Sequence, residues 1–122
     1  MVELGKLEIY ILSIKFSDTA WRIYEKLPKP FRYNMGDQLI RSADSIGANI
    51  AEGYGRYHYK DSIKFYYNAR GSLWESKHWI YLLHKRDLIA KEQYRISMQL
   101  LEQLGKKLNS FIQSIKRRGD KA

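Results

Sequence analysis

A chain of 122 residues, 44% of them hydrophobic, can build one core and has no room for a second domain. It contains no cysteine, which excludes disulfides, thiolate metal sites and a cysteine nucleophile. Its 22 Lys and Arg against 13 Asp and Glu give a formal charge of +9, an excess suited to a polyanion or an acidic partner.

The first helix is expected over about residues 7–27. Leu12, Phe16, Ala20, Ile23 and Leu27 fall at three- and four-residue steps, with Lys15, Arg22 and Glu25 off that stripe. Pro28 and Pro30 stop it, because proline lacks an amide donor and pushes the residue before it out of helical geometry. The second helix, about 33–53, carries its stripe on Leu39, Ala43, Ile46 and Ile50. It is expected to end at Gly53-Tyr54-Gly55, where glycine relieves the steric cost of leaving a helix. Ala43, Gly47, Ala48 and Ala51 are small enough to let another helix approach closely. Asn49 and Glu52 share a face beside the stripe, a polar pair that fixes register between helices; Glu52 can also pair with Arg56.

The third helix, about 60–86, sets Phe65, Tyr66, Ala69, Leu73, Ile80 and Leu83 along one face, with Asp61 or Ser62 placed to serve its first amides. Beside that face Tyr67, Trp74 and Tyr81 recur every seven residues. A helix apolar over so much of its circumference calls for two partners, the core and, for these three rings, a second subunit. The fourth helix, about 91–117, repeats Tyr94, Met98, Leu101, Leu108, Ile112 and Ile115, with Gly105 weakening it locally. Short connections make consecutive helices antiparallel neighbours. The fold expected for residues 1–122 is therefore all-α, a single antiparallel up-down four-helix bundle. The N-terminus lacks a signal-peptide pattern and no run of roughly 20 apolar residues occurs, so a cytoplasmic protein without a membrane segment is expected.

Catalytic chemistry finds little to work with. Glu75-x-x-His78 matches one element of the carboxylate-bridged metal bundles, but that chemistry needs two such elements and two further carboxylates. His58 and His84 have no glutamate three residues before them. Gly53-Tyr54-Gly55-Arg56 lacks the spacing and the Lys-Ser or Lys-Thr ending of a phosphate loop. No catalytic residue, metal or cofactor is expected.

Binding chemistry has more. Arg56, Lys60, Lys64 and Arg70 are interleaved with Tyr54, Tyr57, Tyr59, Tyr66 and Tyr67, a mixture able to neutralise phosphates and stack on unpaired bases. The packing alternative makes Tyr66 core and the lysines a solvated rim. Between Gln103 and Ala122, Lys106, Lys107, Lys116, Arg117, Arg118 and Lys121 face only Asp120, which gives these residues +5 of the +9. Arg56, Lys60, Lys64, Lys106, Lys107, Lys116, Arg117 and Arg118 are the candidate phosphate contacts.

The segment Ser45-Ile46-Gly47-Ala48-Asn49-Ile50-Ala51-Glu52-Gly53-Tyr54-Gly55-Arg56 resembles the signature of the four-helix proteins encoded within intervening sequences of bacterial 23S ribosomal RNA genes. Gln38–Ala43 and Phe65–Glu75 are similar to that family as well, and the likeness spans nearly the whole chain. Asn49, Glu52, Gly53 and Gly55 are its motif positions. Trp74, Lys77, His78 and Trp79 make this third helix more aromatic and basic than the family's usual pattern. The resemblance implies an antiparallel four-helix bundle and, as in related members, a ring-shaped homopentamer. It also implies kinship with the accessory variability proteins of diversity-generating retroelements, whose basic pentamers bind a reverse transcriptase and nucleic acid. Two functions follow: a non-catalytic homo-oligomer that binds nucleic acid, RNA in the first place, or an interaction scaffold serving a reverse transcriptase.

Overall fold

Leu27 is extended (φ −67°, ψ 143°) directly ahead of Pro28, so α1 (Glu8–Lys26) stops where the pre-proline restriction requires. The structure, a computed structural model, describes residues 2–56 and 58–121. A 3-10 turn, Leu4–Lys6, precedes α1. After the break the chain re-enters helix sooner than the sequence suggests. Pro28 is the N-cap of the one-turn α2 (Lys29–Phe31), and Pro30 lies in that first turn, where a missing amide has no partner to lose. From there a π-helical turn, Arg32–Gly36, leads into α3 (Asp37–Tyr54), followed by α4 (Tyr59–Lys85) and α5 (Lys91–Lys121). The π turn has a consequence for α1. Arg32 Nε donates to the Leu27 carbonyl at 2.9 Å and Nη2 to the Glu25 carbonyl at 2.6 Å, satisfying oxygens that a helix end leaves without partners.

The last connection is a Schellman turn. Asp87 takes the left-handed conformation (φ 57°). The amides of Leu88 and Asp87 donate to the carbonyls of Leu83 at 2.9 Å and His84 at 3.0 Å. The reversal sends α5 back along α4.

α3 packs between α1 and α4, α5 packs on α4, and α5 closes the ring against α1. The four long helices form an up-down antiparallel bundle, and no strand occurs among the described residues. The predicted stripes supply its core: Phe16 and Ile23 of α1, Ile46 and Ile50 of α3, Leu73 and Ile80 of α4, Leu108 and Ile112 of α5 are all fully buried. Each such side chain contributes about 1.5–3 kcal/mol through removal from water. Among the described residues no helix is long and apolar enough to cross a membrane.

The two seams of α3 differ in kind. Toward α1 it presents Ala43, Gly47 and Ala51, opposite Tyr10, Ser13 and Ser17. A Cβ on Gly47 would lie 2.9 Å from Ser13 Oγ, so a larger side chain at this position has to displace that hydroxyl. Toward α4 the contact is a ladder of hydroxyls. Ser72 Oγ donates to Ser45 Oγ at 2.9 Å, and Ser76 Oγ donates to Ser42 Oγ at 2.9 Å. Asn49 Nδ2 donates to Ser45 Oγ at 3.0 Å and to the Ser45 carbonyl at 2.9 Å, which fixes it as a seam residue. Ser42 Oγ itself donates to the Leu39 carbonyl at 3.1 Å, and both Ser42 and Ser76 are buried. Ser42→Ala therefore strands the Ser76 hydroxyl and is expected to cost about 1–3 kcal/mol, whereas Ser76→Ala leaves Ser42 satisfied and costs about 0.5–1.5 kcal/mol. Denaturant titration of both variants and the double variant checks this: the double should fall short of the sum of the singles.

Two sequence expectations need correction. No described glycine has a positive φ, and Gly55, the C-cap of α3, is right-handed (φ −79°, ψ −7°). Gly53 lies inside α3 and serves close packing: a Cβ there would sit 3.0 Å from the ring of Tyr66 and 3.1 Å from the Ser62 carbonyl. Among the described residues no side chain caps the start of α4. Ser62 turns the other way, donating its hydroxyl to the Tyr59 carbonyl at 2.7 Å.

Candidate nucleic-acid interface

Seven-residue spacing on α4 places Tyr67, Trp74 and Tyr81 in a row beside the core, on the side that meets α5. A basic residue follows two of these rings at a distance of three, one helical turn on: Tyr67 then Arg70, Trp74 then Lys77. The helix therefore lays each cation over the preceding ring. Arg70 Cζ is 4.8 Å from the Tyr67 centroid, and Lys77 Nζ is 4.3 Å from that of Trp74. Such contacts are worth about 0.5–1 kcal/mol at an exposed site. After Tyr81 the corresponding residue is His84, which stacks instead on Tyr94 of α5, with centroids 3.9 Å apart.

α5 completes the strip from the other side. Lys116 Nζ lies 5.8 Å from the Tyr67 centroid, giving that ring a second cation. Asn109 Oδ1 accepts from Arg70 Nη1 at 3.1 Å, and Glu102 Oε1 pairs with Lys77 Nζ at 2.6 Å. The hydrogen bond from Lys77, reinforced by its charge, holds the Glu102 carboxyl below the usual carboxylate range. Lys106 stands beside Trp74 and Lys77 along the same groove. Toward the N-terminal end of α4 the groove continues between Tyr59, Lys60 and Tyr67 on one side and Ile115 and Lys116 on the other.

The eight sequence-predicted phosphate contacts thus divide. Lys60, Lys106 and Lys116 join the strip. Arg56 and Arg118 border a cavity at the end of the bundle. Arg56 also pairs with Glu52 at 2.6 Å and lies 4.7 Å from the Phe65 centroid. Lys64 reaches the same ring at 5.2 Å. Lys107 faces α1, where it pairs with Glu8 at 3.1 Å, and Arg117 is exposed. Of the tyrosines considered for stacking, Tyr66 is core, edge-on to Phe111 at 5.0 Å. The Tyr54 hydroxyl donates to the Val2 carbonyl, Tyr59 is exposed, and Tyr57 lies outside the described residues. The rings proposed as a subunit contact share a face with three of the charges proposed for phosphate, Lys60, Lys106 and Lys116. Arg70 and Lys77 belong to it as well; their three-residue offset from the rings was the signal that reveals them.

Glu75 and His78 make no such assembly. Both are exposed, Glu75 Oε2 accepts from Trp79 Nε1 at 3.2 Å, and His78 packs edge-on to the same indole at 4.8 Å. Among the described residues no group of three or more His, Cys, Asp or Glu could hold a metal ion.

No curated protein matches the chain. Among solved structures it is similar to a protein of unknown function from the S23 ribosomal protein family of Bacteroides thetaiotaomicron. The two share 27% identity, the match covers 85% of this chain and 97% of the other, and the TM-score is 0.77. Residues 5–110 match the family described as 23S rRNA-intervening sequence protein. That match takes in α1 to α4 and most of α5, including the Asn49–Arg56 motif, and the chain belongs to the 23S rRNA-intervening sequence protein family.

Proposed function

We propose that this chain is a non-catalytic, homo-oligomeric protein that binds RNA, and that the strip between α4 and α5 is its contact surface. The observation that carries the reading is the ring-and-cation register. Trp74 presents an exposed indole beside Lys77, and one heptad earlier the half-buried Tyr67 carries Arg70 and Lys116, side chains able to neutralise a phosphate. Unpaired strands are held by that combination of stacking and charge. The family match and the solved relative carry no link to retroelements, and a reverse transcriptase stays outside the proposal.

Several copies would add weak contacts into useful avidity. Besides the α4 rings, α1 exposes Ile11, Ile14 and Trp21 on one face, away from the cationic strip, as apolar surface for a neighbouring copy. Light scattering tests this half: a mass several times the 14.5 kDa of the chain is expected, and the mass of one chain overturns it.

The RNA half is tested by fluorescence anisotropy with a labelled oligouridylate at rising salt. Affinity should fall steeply as salt displaces the phosphate contacts. No binding at low salt, or binding indifferent to salt, sinks the proposal.

Glu102 competes with phosphate for Lys77, whose side chain is only 13% exposed. Its depressed pKa means the pair is intact at neutral pH and is lost as pH falls through the lowered folded-state value. Acidification should therefore release Lys77 toward RNA. Glu102→Gln should do the same at neutral pH, raising affinity and steepening the log–log salt slope by about 0.7. An unchanged slope would place Lys77 outside the contact.

A further inference from the structure

At one end of the bundle the last turn of α3, the first turn of α4, the final turns of α5 and the N-terminal segment surround a cavity of about 710 Å³. That volume lies within the roughly 300–1,000 Å³ typical of small-molecule sites. Its lining is selective in chemistry. Arg56 and Arg118 border it, no described lining residue is acidic, and Tyr59, Tyr66 and Phe111 give it aromatic walls. Glu52 engages one terminal nitrogen of Arg56, and the guanidinium, with five N–H donors, keeps others for an anion. Burial pushes the Tyr66 phenol up to about 12, so it remains a neutral hydroxyl at any physiological pH.

Positive charge at the rim and flat apolar walls within suit a ligand that is anionic at one end and aromatic at the other. The cavity also has a connection. Tyr59 and Ile115 line both it and the end of the α4/α5 strip, so a strand following the strip is led to its mouth. We infer that the cavity is a site for a nucleoside monophosphate, which on a strand bound along the strip is the phosphorylated terminal nucleotide. The phosphate lies against Arg56 and Arg118 and the base against the exposed ring of Tyr59. The strand form rests on the RNA-binding reading, whereas the pocket itself does not.

Calorimetric titration of adenosine 5′-monophosphate and of adenosine into the full chain addresses the pocket alone. The monophosphate should bind, adenosine roughly tenfold or more weaker, as expected when a charge-assisted phosphate contact is missing. Arg118→Ala should abolish that difference, and Arg95→Ala, which removes an equal charge at the opposite end of the bundle, should preserve it. No binding of the monophosphate, or binding unchanged by both Arg118→Ala and Arg56→Ala, overturns the pocket. Oligouridylates with a 5′-phosphate, a 3′-phosphate or neither then address the strand. One phosphorylated end should be preferred by the wild type and not by Arg118→Ala. Monophosphate binding without any end preference overturns the strand form. Monophosphate binding with no oligonucleotide binding at all removes the RNA reading and leaves the pocket standing.

Discussion

Trp74→Ala is expected to weaken binding of a single-stranded RNA by about 10- to 100-fold, the equivalent of roughly 1–3 kcal/mol of base stacking, without altering the salt slope. The indole is 62% exposed, so the substitution removes a platform and not a core contact. Its effect on folding stability should stay within about 0.5 kcal/mol. Lys106→Ala and Lys116→Ala form the complementary pair. Each removes a charge beside the rings and should cost a few-fold in affinity while flattening the slope by about 0.7. The contrast separates the two roles that converge on this face. If Trp74 instead joins subunits, its truncation lowers the mass seen by light scattering and leaves the intrinsic affinity of each chain for a short oligonucleotide unchanged. A ring beside the exposed Lys106 is better suited to a polyanion than to a dry interface between copies, because burying that ammonium against a second cationic subunit is unfavourable.

Much of the fold is written in spacings that any partner helix would respect. Leu12, Phe16, Ala20 and Ile23 could be read as one buried face because a helix with that period has only one way to hide them. Pro28 marked the end of α1 for a reason internal to the backbone, yet Pro30 did not delay the next helix, since proline is well placed in a first turn. What periodicity could not supply is whatever depends on the neighbour. Ser42, Ser76 and Ser97 are buried although their hydropathy suggests surface; the first two are admitted by each other, across a seam between residues 34 positions apart. Leu104, beside Gly105, is core but falls outside the stripe assigned to the last helix. The same limit divided the cations. Lys106 and Lys107 are adjacent in sequence, but one faces Trp74 and the other is drawn to Glu8 across the α1 side. The Asn49–Arg56 motif was legible as a signature while its working parts were not: Asn49 holds Ser45, Glu52 holds Arg56, and Gly53 makes room for Tyr66.

Gly53→Ala and Gly71→Ala should move stability in opposite directions, although both place alanine in a helix. Helix propensity alone favours each by up to about 1 kcal/mol. At Gly71 nothing lies within 4 Å of the added methyl, so the gain is realised, about 0.5–1 kcal/mol. At Gly53 the methyl would meet two ring atoms of Tyr66 at 3.0 Å and the Ser62 carbonyl at 3.1 Å. Tyr66 is 2% exposed and pinned edge-on by Phe111, and the carbonyl belongs to the α4 backbone, so neither can yield without parting α3 from α4. Overpacking of this kind costs about 1–3 kcal/mol net. Gly47 makes a useful third case, since its close neighbour at 2.9 Å is only the hydroxyl of Ser13, which can rotate away at the loss of its 2.6 Å bond to the Tyr10 carbonyl. Its alanine variant should therefore fall between the other two. Urea unfolding midpoints for the three variants, at unchanged m-value, read the order directly. A Gly53→Ala protein as stable as Gly71→Ala would mean that α3 and α4 can separate slightly at no cost, and that Tyr66 is not what requires glycine at this motif position.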